Sequence, residues 1–233
     1  MSIDNNRNLT DLLLEIYHKL YTHFGYRQWW PGETPFEIAV GAVLTQNTNW
    51  KNVEKAISCL KEKDYLSPLC IYNLSEIELK EVIRSAGFYN QKSQRLKVLT
   101  KWWLKRFGYS LTPDFNSFQG KERESVTTLR KELISLKGIG LETADSILLY
   151  ALNLPTFVID AYTLRALQRL GIHSGNSYAS AKALFEESLP YDVKLFNDYH
   201  AQWVALGKHY CRKVPLCSGC PLFIMCSYGK RVG

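Results

Sequence analysis

Two glycines separated by one apolar residue, Gly138-Ile139-Gly140, constrain the fold of this chain more than any other feature of the sequence. Helical patterns run up to Leu136 and begin again near Leu141, so the glycines predict a tight turn between two helices. Backbone N–H groups pointing out of such a turn, beside the positive end of the second helix, suit an anion such as phosphate. An ordinary helix–helix turn is the alternative interpretation.

The rest of the chain also has the periodicity of helices. Apolar residues recur at helical spacing, and no alternating strand pattern of useful length interrupts them. The pairs Thr34/Glu37 and Ser75/Glu78 have the spacing of capping boxes, which predicts that helices begin there. The sequence therefore predicts an all-α protein, and 233 residues suffice for one large domain or two smaller lobes.

Charge and hydropathy favour an acidic partner and exclude a membrane protein. Lysine and arginine total 29 against 22 acidic residues, which gives a net charge of +7 and a pI near 9.0. The segment Met1–Asn8 is polar and lacks an apolar signal core, and no later apolar run reaches membrane-spanning length. We expect an intracellular protein that does not associate with membranes.

Four of the six cysteines lie in a short carboxy-terminal segment, as Cys211-x5-Cys217-x2-Cys220-x5-Cys226. In a cytosolic chain this crowding indicates a metal site rather than disulfides. Four thiolates at this spacing can bind either Zn²⁺ or a [4Fe–4S] cluster, and the spacing alone does not choose between them.

A single carboxylate and three tryptophans stand out from the remaining sequence. Asp160 follows the apolar run 157–159 and precedes a predicted helix over 161–170, so it is either a helix N-cap or a catalytic carboxylate. Trp29 and Trp30 are adjacent in a predicted loop, and Trp50 lies in the first turn of a later helix. Adjacent tryptophans can simply cover a core.

In their order along the chain, the hairpin, Thr143-Ala144, Pro155, Asp160 and the four cysteines resemble the helix-hairpin-helix DNA glycosylases of the endonuclease III superfamily. The resemblance implies a two-lobed α fold with a helical barrel lobe at 30–136, a discontinuous lobe of 1–29 plus 137–210, and a [4Fe–4S] loop at 211–226. It also implies a prokaryotic, cytoplasmic, nucleoid-associated monomer that acts on double-stranded DNA containing damaged bases.

Two positions carry the chemistry that the resemblance implies. Asp160 matches the catalytic aspartate, whose carboxylate would stabilise positive charge on the deoxyribose and orient or deprotonate a water. Glu142 stands where bifunctional members carry the lysine that attacks the sugar, and a carboxylate cannot form that imine. The resemblance therefore implies base removal without strand cleavage, unless another lysine such as Lys137 reaches the sugar.

Three segments, Trp29-Trp30-Pro31, 41–48 and 87–92, resemble the 3-methyladenine DNA glycosylase branch of the superfamily. By that resemblance Trp29, Trp30 and Trp50 line a base pocket that Glu142 adjoins. Gln46 would fill the gap left by the flipped base, and Phe88 would wedge beside it. The expected phosphate ligands are Lys92, Lys137, Gly138 and Gly140, and the hairpin is also a candidate site for a monovalent cation.

Two other functions fit the same pattern. A bifunctional glycosylase/lyase acting on oxidised pyrimidines shares the hairpin, the aspartate and the cysteines, but it is disfavoured by Glu142. A non-enzymatic module that retains the hairpin for DNA binding is the third hypothesis.

Overall fold

The computed structural model describes residues 8–232 and divides them into two compact units. The terminal unit comprises the described residues up to Trp29 and from Pro155 onward, and the central unit comprises Trp30–Leu154. The first seven residues of the expected discontinuous lobe lie outside the described part of the chain. Residues 137–154, which we expected in the discontinuous lobe, belong to the central unit.

The prediction of an all-α protein is confirmed, because residues 8–232 form helices and loops without a strand. The terminal unit contains α1 (Leu9–Phe24), α9 (Ala161–Leu170), α10 (Tyr178–Ser188), α11 (Val193–His209) and α12 (Gly229–Val232). The central unit contains α2 (Pro35–Leu44), α3 (Trp50–Glu62), α4 (Pro68–Asn73), α5 (Glu76–Val82), α6 (Tyr89–Phe107), α7 (Glu122–Ser135) and α8 (Leu141–Ser146).

Helix α2 forms the centre of the central unit. It is apolar on nearly all sides, and its residues from Gly41 to Leu44 are all buried, which is the pattern of a helix enclosed by others. Helices α3, α6 and α8 pack against it. The centroid of the Phe36 ring lies 5.2 Å from that of the fully buried Trp103.

A π-helical turn, Ile147–Ala151, continues α8 and also packs against α2. The N–H of Leu152 donates to the carbonyl of Ile147 at 3.0 Å, which is the spacing of a π-helix. All five residues of the turn are buried. This packing places 137–154 in the central unit.

Helix α11 is the corresponding core helix of the terminal unit, where it contacts α1 and α9. The Tyr199 hydroxyl donates to the carbonyl of Leu13 at 2.7 Å. Gly207 allows the ring of Tyr162 to approach, since a Cβ at that position would lie 2.3 Å from it. Tight α9–α11 packing follows, and it fixes the helix that begins after Asp160.

Among the described residues, no helix combines the length and the apolar character needed to cross a bilayer.

Candidate active site

Asp160 caps α9 in the terminal unit. Its Oδ1 accepts hydrogen bonds from the backbone N–H of Thr163 at 2.7 Å and from the Thr163 hydroxyl at 2.8 Å. Its extended backbone, with φ −112° and ψ 178°, is typical of an N-cap residue. The carboxylate is therefore fixed by the start of the helix.

The second carboxylate oxygen of Asp160 faces a histidine. His200 Nε2, on α11, lies 3.7 Å from Oδ2, and both residues are buried. Burial raises the pKa of Asp160, but the interactions with His200 and with the two Thr163 donors outweigh it and hold the pKa below its usual range. Asp160 is thus a carboxylate at neutral pH.

The segment leading to Asp160 is held by Glu186 of α10. Glu186 Oε1 accepts from the backbone N–H of Phe157 at 2.7 Å and from the Thr156 hydroxyl at 3.1 Å. Lys182 Nζ lies 2.7 Å from the same oxygen. The ring of Phe157 stacks on Phe185 with their centroids 3.8 Å apart. These contacts hold the segment on the N-terminal side of Asp160, whereas α9 holds its C-terminal side.

Trp29 belongs to the terminal unit, and its loop is bound by α11. Asp198 Oδ1 accepts from the backbone N–H of Arg27 at 2.9 Å, and Gln202 Nε2 donates to the carbonyl of Gly25 at 2.8 Å. The ammonium of Lys208 lies 5.5 Å from the centre of a Trp29 ring, within cation–π distance. The indole of Trp29 therefore already attracts a cation.

The hairpin lies in the central unit, and only one of its two glycines occupies a position where another residue would be strained. Gly138 has φ +87°, and a Cβ there would lie 2.6 Å from side-chain atoms of Arg95. Gly140 is the N-cap of α8 with φ −88°, and a Cβ there would meet no atom within 4 Å. Ile139 between them is buried, whereas Lys137 and Glu142 are exposed. The turn thus exposes its polar backbone and is anchored by its apolar residue.

Gln46 follows the end of α2, and its side chain contacts the hairpin. Its Nε2 donates to the carbonyl of Gly138 at 3.1 Å and to the Thr143 hydroxyl at 2.9 Å. Its Oε1 accepts from Nη1 of Arg95. The side chain expected to enter a duplex is therefore held beside the expected phosphate ligands.

Phe88 has the conformation of an exposed wedge at the start of α6. It is left-handed, with φ 47° and ψ 29°, and its side chain is 60% exposed. Gly87 before it has φ +67°, so the chain turns sharply there. A bulky residue rarely adopts this conformation, and such outliers concentrate at functional sites.

The expectation that Lys92 binds a phosphate needs correction. Lys92 is fully buried, and its Nζ donates to the carbonyls of Leu44 at 2.7 Å and Ala86 at 2.8 Å. Its neighbour Arg95 packs under the hairpin. The positions of the basic residues along α6 did not reveal that Lys92 lies on the face of the helix that packs against the core.

Trp30 and Trp50 meet in the central unit. Their rings are edge to face, with centroids 5.3 Å apart, and Tyr150 of the π-turn lies 5.2 Å from Trp30. A Cβ at Gly41 would lie 3.4 Å from Trp30 Nε1, in ordinary van der Waals contact with it. Tyr150 was not predicted as a site residue, because it lies in an apolar run that is typical of a buried core.

A cavity of about 320 Å³ adjoins Trp30 and Trp50. Its charged lining residues are Glu33, Glu37, Glu54 and Lys61. Lys61 is paired with Glu33 at 2.8 Å and with Glu37 at 2.9 Å. Aromatic walls and an excess of carboxylates favour a flat, cationic ligand.

The four clustered cysteines are half-buried in the terminal unit, where α9 holds their loop. Arg169 donates to Cys211 Sγ at 3.3 Å and to the carbonyl of Lys213 at 2.9 Å. Burial, followed by the charges of the other three clustered cysteines, raises the pKa of the Cys220 thiol to about 11. No three metal-binding side chains converge within residues 8–232.

The sequence matches the family described as HhH-GPD superfamily base excision DNA repair protein over residues 40–191. A Methanocaldococcus jannaschii protein with a provisional DNA repair glycosylase name is 46% identical over 94% of this chain and 97% of its own length. Endonuclease III of Thermotoga maritima is 26% identical over 85% of each chain.

Two solved structures are similar over most of this chain. An endonuclease III–DNA covalent intermediate has a TM-score of 0.78 at 23% identity, covering 95% of this chain and 97% of that one, which shows the fold. H. pylori 3-methyladenine DNA glycosylase bound to 1,N6-ethenoadenine has a TM-score of 0.72 at 29% identity, covering 90% of this chain and all of that one.

Proposed function

The chain belongs to the HhH-GPD superfamily of base excision DNA repair proteins, and from this premise we propose that it is a monofunctional DNA glycosylase for alkylated purines such as 3-methyladenine. The family and the relatives support a DNA glycosylase of this superfamily. The proposal adds the alkylated substrate and the absence of strand cleavage.

The buried, ionised carboxylate of Asp160 is the observation that carries the proposal. When the bond from base to sugar breaks, positive charge develops on the deoxyribose. A preorganised carboxylate stabilises that charge and can orient or deprotonate the attacking water. The contacts with Thr163 and His200 support this role because they keep Asp160 both ionised and fixed.

Aromatic and acidic groups support the choice of an alkylated purine. N-alkylation makes the purine cationic, so electron-rich indoles bind it more tightly than a normal base, by ~1–2 kcal/mol when desolvated. Trp29, Trp30 and Trp50 are the proposed binding residues, and carboxylates line the cavity beside Trp30 and Trp50. The cationic base is also a good leaving group, so little acid catalysis is required of the site.

Double-stranded DNA containing a damaged base is the proposed partner. The base must leave the stack, which costs a few kcal/mol and less for damaged bases. Exposed Phe88 and the side chain of Gln46 would offset part of that cost by occupying the vacated space. Lys137 and the exposed hairpin backbone would contact phosphates without reading sequence.

Glu142 supports base removal without strand cleavage. It lies exposed in the first turn of α8, where its carboxylate cannot form a Schiff base with the sugar. The similarity to endonuclease III favours the second candidate function, a glycosylase/lyase on oxidised pyrimidines. A covalent protein–DNA adduct trapped by borohydride would support that alternative.

We also propose that Cys211, Cys217, Cys220 and Cys226 bind a [4Fe–4S] cluster. All four are half-buried in one short loop that Arg165 and Arg169 hold, and four thiolates are the ligand set of such a cluster. When bound, the cluster would be held by iron–sulfur bonds to the four thiolates. The chain's own contribution is the pair of arginines on α9, because Arg165 Nε donates to the carbonyl of Cys211 at 2.8 Å and Arg169 to its sulfur.

The experiment that tests Asp160 uses two N-cap variants. Asp160→Asn should abolish release of 3-methyladenine from methylated duplex DNA while affinity for that DNA is retained. Asp192→Asn is the matched control, because Asp192 caps α11 in the same unit by accepting from Leu195 N at 2.7 Å. Undiminished release by Asp160→Asn would contradict the catalytic assignment.

A further inference from the structure

We propose that Lys92 is a positioning residue for duplex opening. Its buried Nζ links the turn that carries Gln46 to the turn that carries Phe88, and so holds the two turns together. This inference rests on the proposed function, in which those two side chains enter the duplex. It replaces the expected phosphate contact of Lys92 with a role exerted through the backbone.

The two carbonyls that Lys92 binds lie at equivalent places in the two turns. Leu44 is the last residue of α2, two positions before Gln46, and its carbonyl accepts at 2.7 Å. Ala86 ends the 3₁₀ turn Arg84–Ala86, two positions before Phe88, and its carbonyl accepts at 2.8 Å. One nitrogen atom therefore joins the ends of two short segments that are far apart in sequence.

Burial makes this bridge difficult to replace. Helix ends leave carbonyls without intrahelical partners, and a buried carbonyl is costly without a donor. Lys92 is fully buried, and desolvation, with a smaller contribution from the charge of Arg95, lowers its pKa to about 8. Both the ammonium and the neutral amine carry at least two N–H donors, so the bridge persists on either side of that pKa.

Contacts of the first two turns of α6 extend the same support. Phe88 is the N-cap of α6, and its carbonyl accepts from the backbone N–H of Lys92 at 3.0 Å. One turn later, Arg95 donates to Gln46 Oε1 and packs against Gly138. The first turns of α6 thus hold the backbone of Phe88 and the side chain of Gln46, which lowers the conformational entropy cost of insertion.

Lys97 provides a matched control on the same helix. Its Nζ donates to the carbonyl of Tyr72 at 2.7 Å and to that of Leu74, at the end of α4. It therefore also joins a helix end to α6, but its carbonyls do not adjoin Gln46 or Phe88. Lys92→Met and Lys97→Met each replace an ammonium by an apolar group of similar length.

The experiment compares base release in single turnovers from two methylated substrates, one with the damaged adenine paired and one with it in a bulge. Opening is needed only for the first. We expect Lys92→Met to slow release from the paired substrate by about tenfold or more, because opening costs a few kcal/mol and the variant loses part of the support that offsets this cost. Release from the bulge should slow by less than about threefold, because the bulged base does not have to be unpaired. Lys97→Met should change both rates by less than about threefold, since it leaves the inserting turns in place.

Equal loss by Lys92→Met on both substrates, or no loss on either, would overturn the inference. If Lys92→Met does not fold by circular dichroism, Lys92→Gln, which keeps two N–H donors on a shorter arm, is judged by the same ratio of rates. The proposed function fails separately, if the wild-type protein releases no base from either substrate.

Discussion

Asp160 uses its two carboxylate oxygens in different ways. Oδ1 caps α9 through Thr163, and Oδ2 faces His200 at 3.7 Å. The sequence offered an N-cap and a catalytic carboxylate as alternatives, but one side chain can serve as both. The hydrogen bonds of the cap use Oδ1 and fix the orientation of the carboxylate, so that Oδ2 faces His200.

A His200→Gln variant tests how this carboxylate is kept ionised. His200 lowers the pKa of Asp160, so its removal should raise that pKa and move the acid limb of base release toward neutral pH. In the wild-type protein, release should stay constant down to the ordinary carboxyl range. Single-turnover rates measured against pH check this.

His209→Gln is the control for that profile, because His209 is exposed on the same helix. It should leave the acid limb where the wild-type protein has it. Superimposable profiles of the His200 variant and the wild type would refute the proposed influence on Asp160.

The sequence predicted the role of a residue where that role depends on its neighbours along the chain. It did not predict roles that depend on which helix face is buried. Asp160 was predicted at the start of α9 because aspartate is a preferred N-cap. Lys92 was predicted on a phosphate-binding face because one sequence does not reveal which face of α6 is buried.

Helix α6 packs against the hairpin and supports it through Arg95. Arg95 lies under Gly138, and the same guanidinium binds Gln46. A change in the turn is thereby transmitted to the side chain proposed to fill the duplex. The glycine pattern predicted the turn, but it could not predict which residue packs beneath it.

Replacing each hairpin glycine by alanine tests this support. Gly138→Ala should destabilise the protein by roughly 1–3 kcal/mol, because φ is positive and the Cβ would meet Arg95. Gly140→Ala should cost less than roughly 1 kcal/mol, because its φ is ordinary and the Cβ has space. Urea unfolding of both variants measures the difference, and equal losses would contradict the argument.

Helix boundaries with strong caps were predicted well. The capping box of Ser75 and Glu78 is confirmed. Thr34 caps α2 as expected, but Glu37 accepts from the N–H of Glu33 instead of completing the box. The π-turn after α8 was missed, because the apolar run 147–151 is compatible with either helical spacing.

For the whole molecule, the family resemblance implied two lobes with a boundary near residue 136. The central unit instead extends to Leu154, because α8 and the π-turn pack on α2. The hairpin therefore belongs to the central unit, and Asp160 to the terminal unit. The resemblance placed both in one discontinuous lobe, whereas packing places them in different units.

The cysteine loop should hold a cluster that contributes to stability. Purified protein is expected to be brown and to contain about four irons per chain. Cys220→Ser should lose most of the iron and lower the melting temperature, as removal of a structural metal site does. Cys59→Ser, outside the loop on α3, should retain both. A colourless protein with one zinc per chain would refute the cluster.

The most direct test of the account follows base and strand in one reaction on methylated duplex DNA. We expect free 3-methyladenine to appear, together with abasic sites that break only after treatment with alkali. That result would combine the chemistry of Asp160 with the absence of a nucleophilic lysine at position 142. Intact methylated bases after incubation, or strand breaks without alkali, would contradict the account.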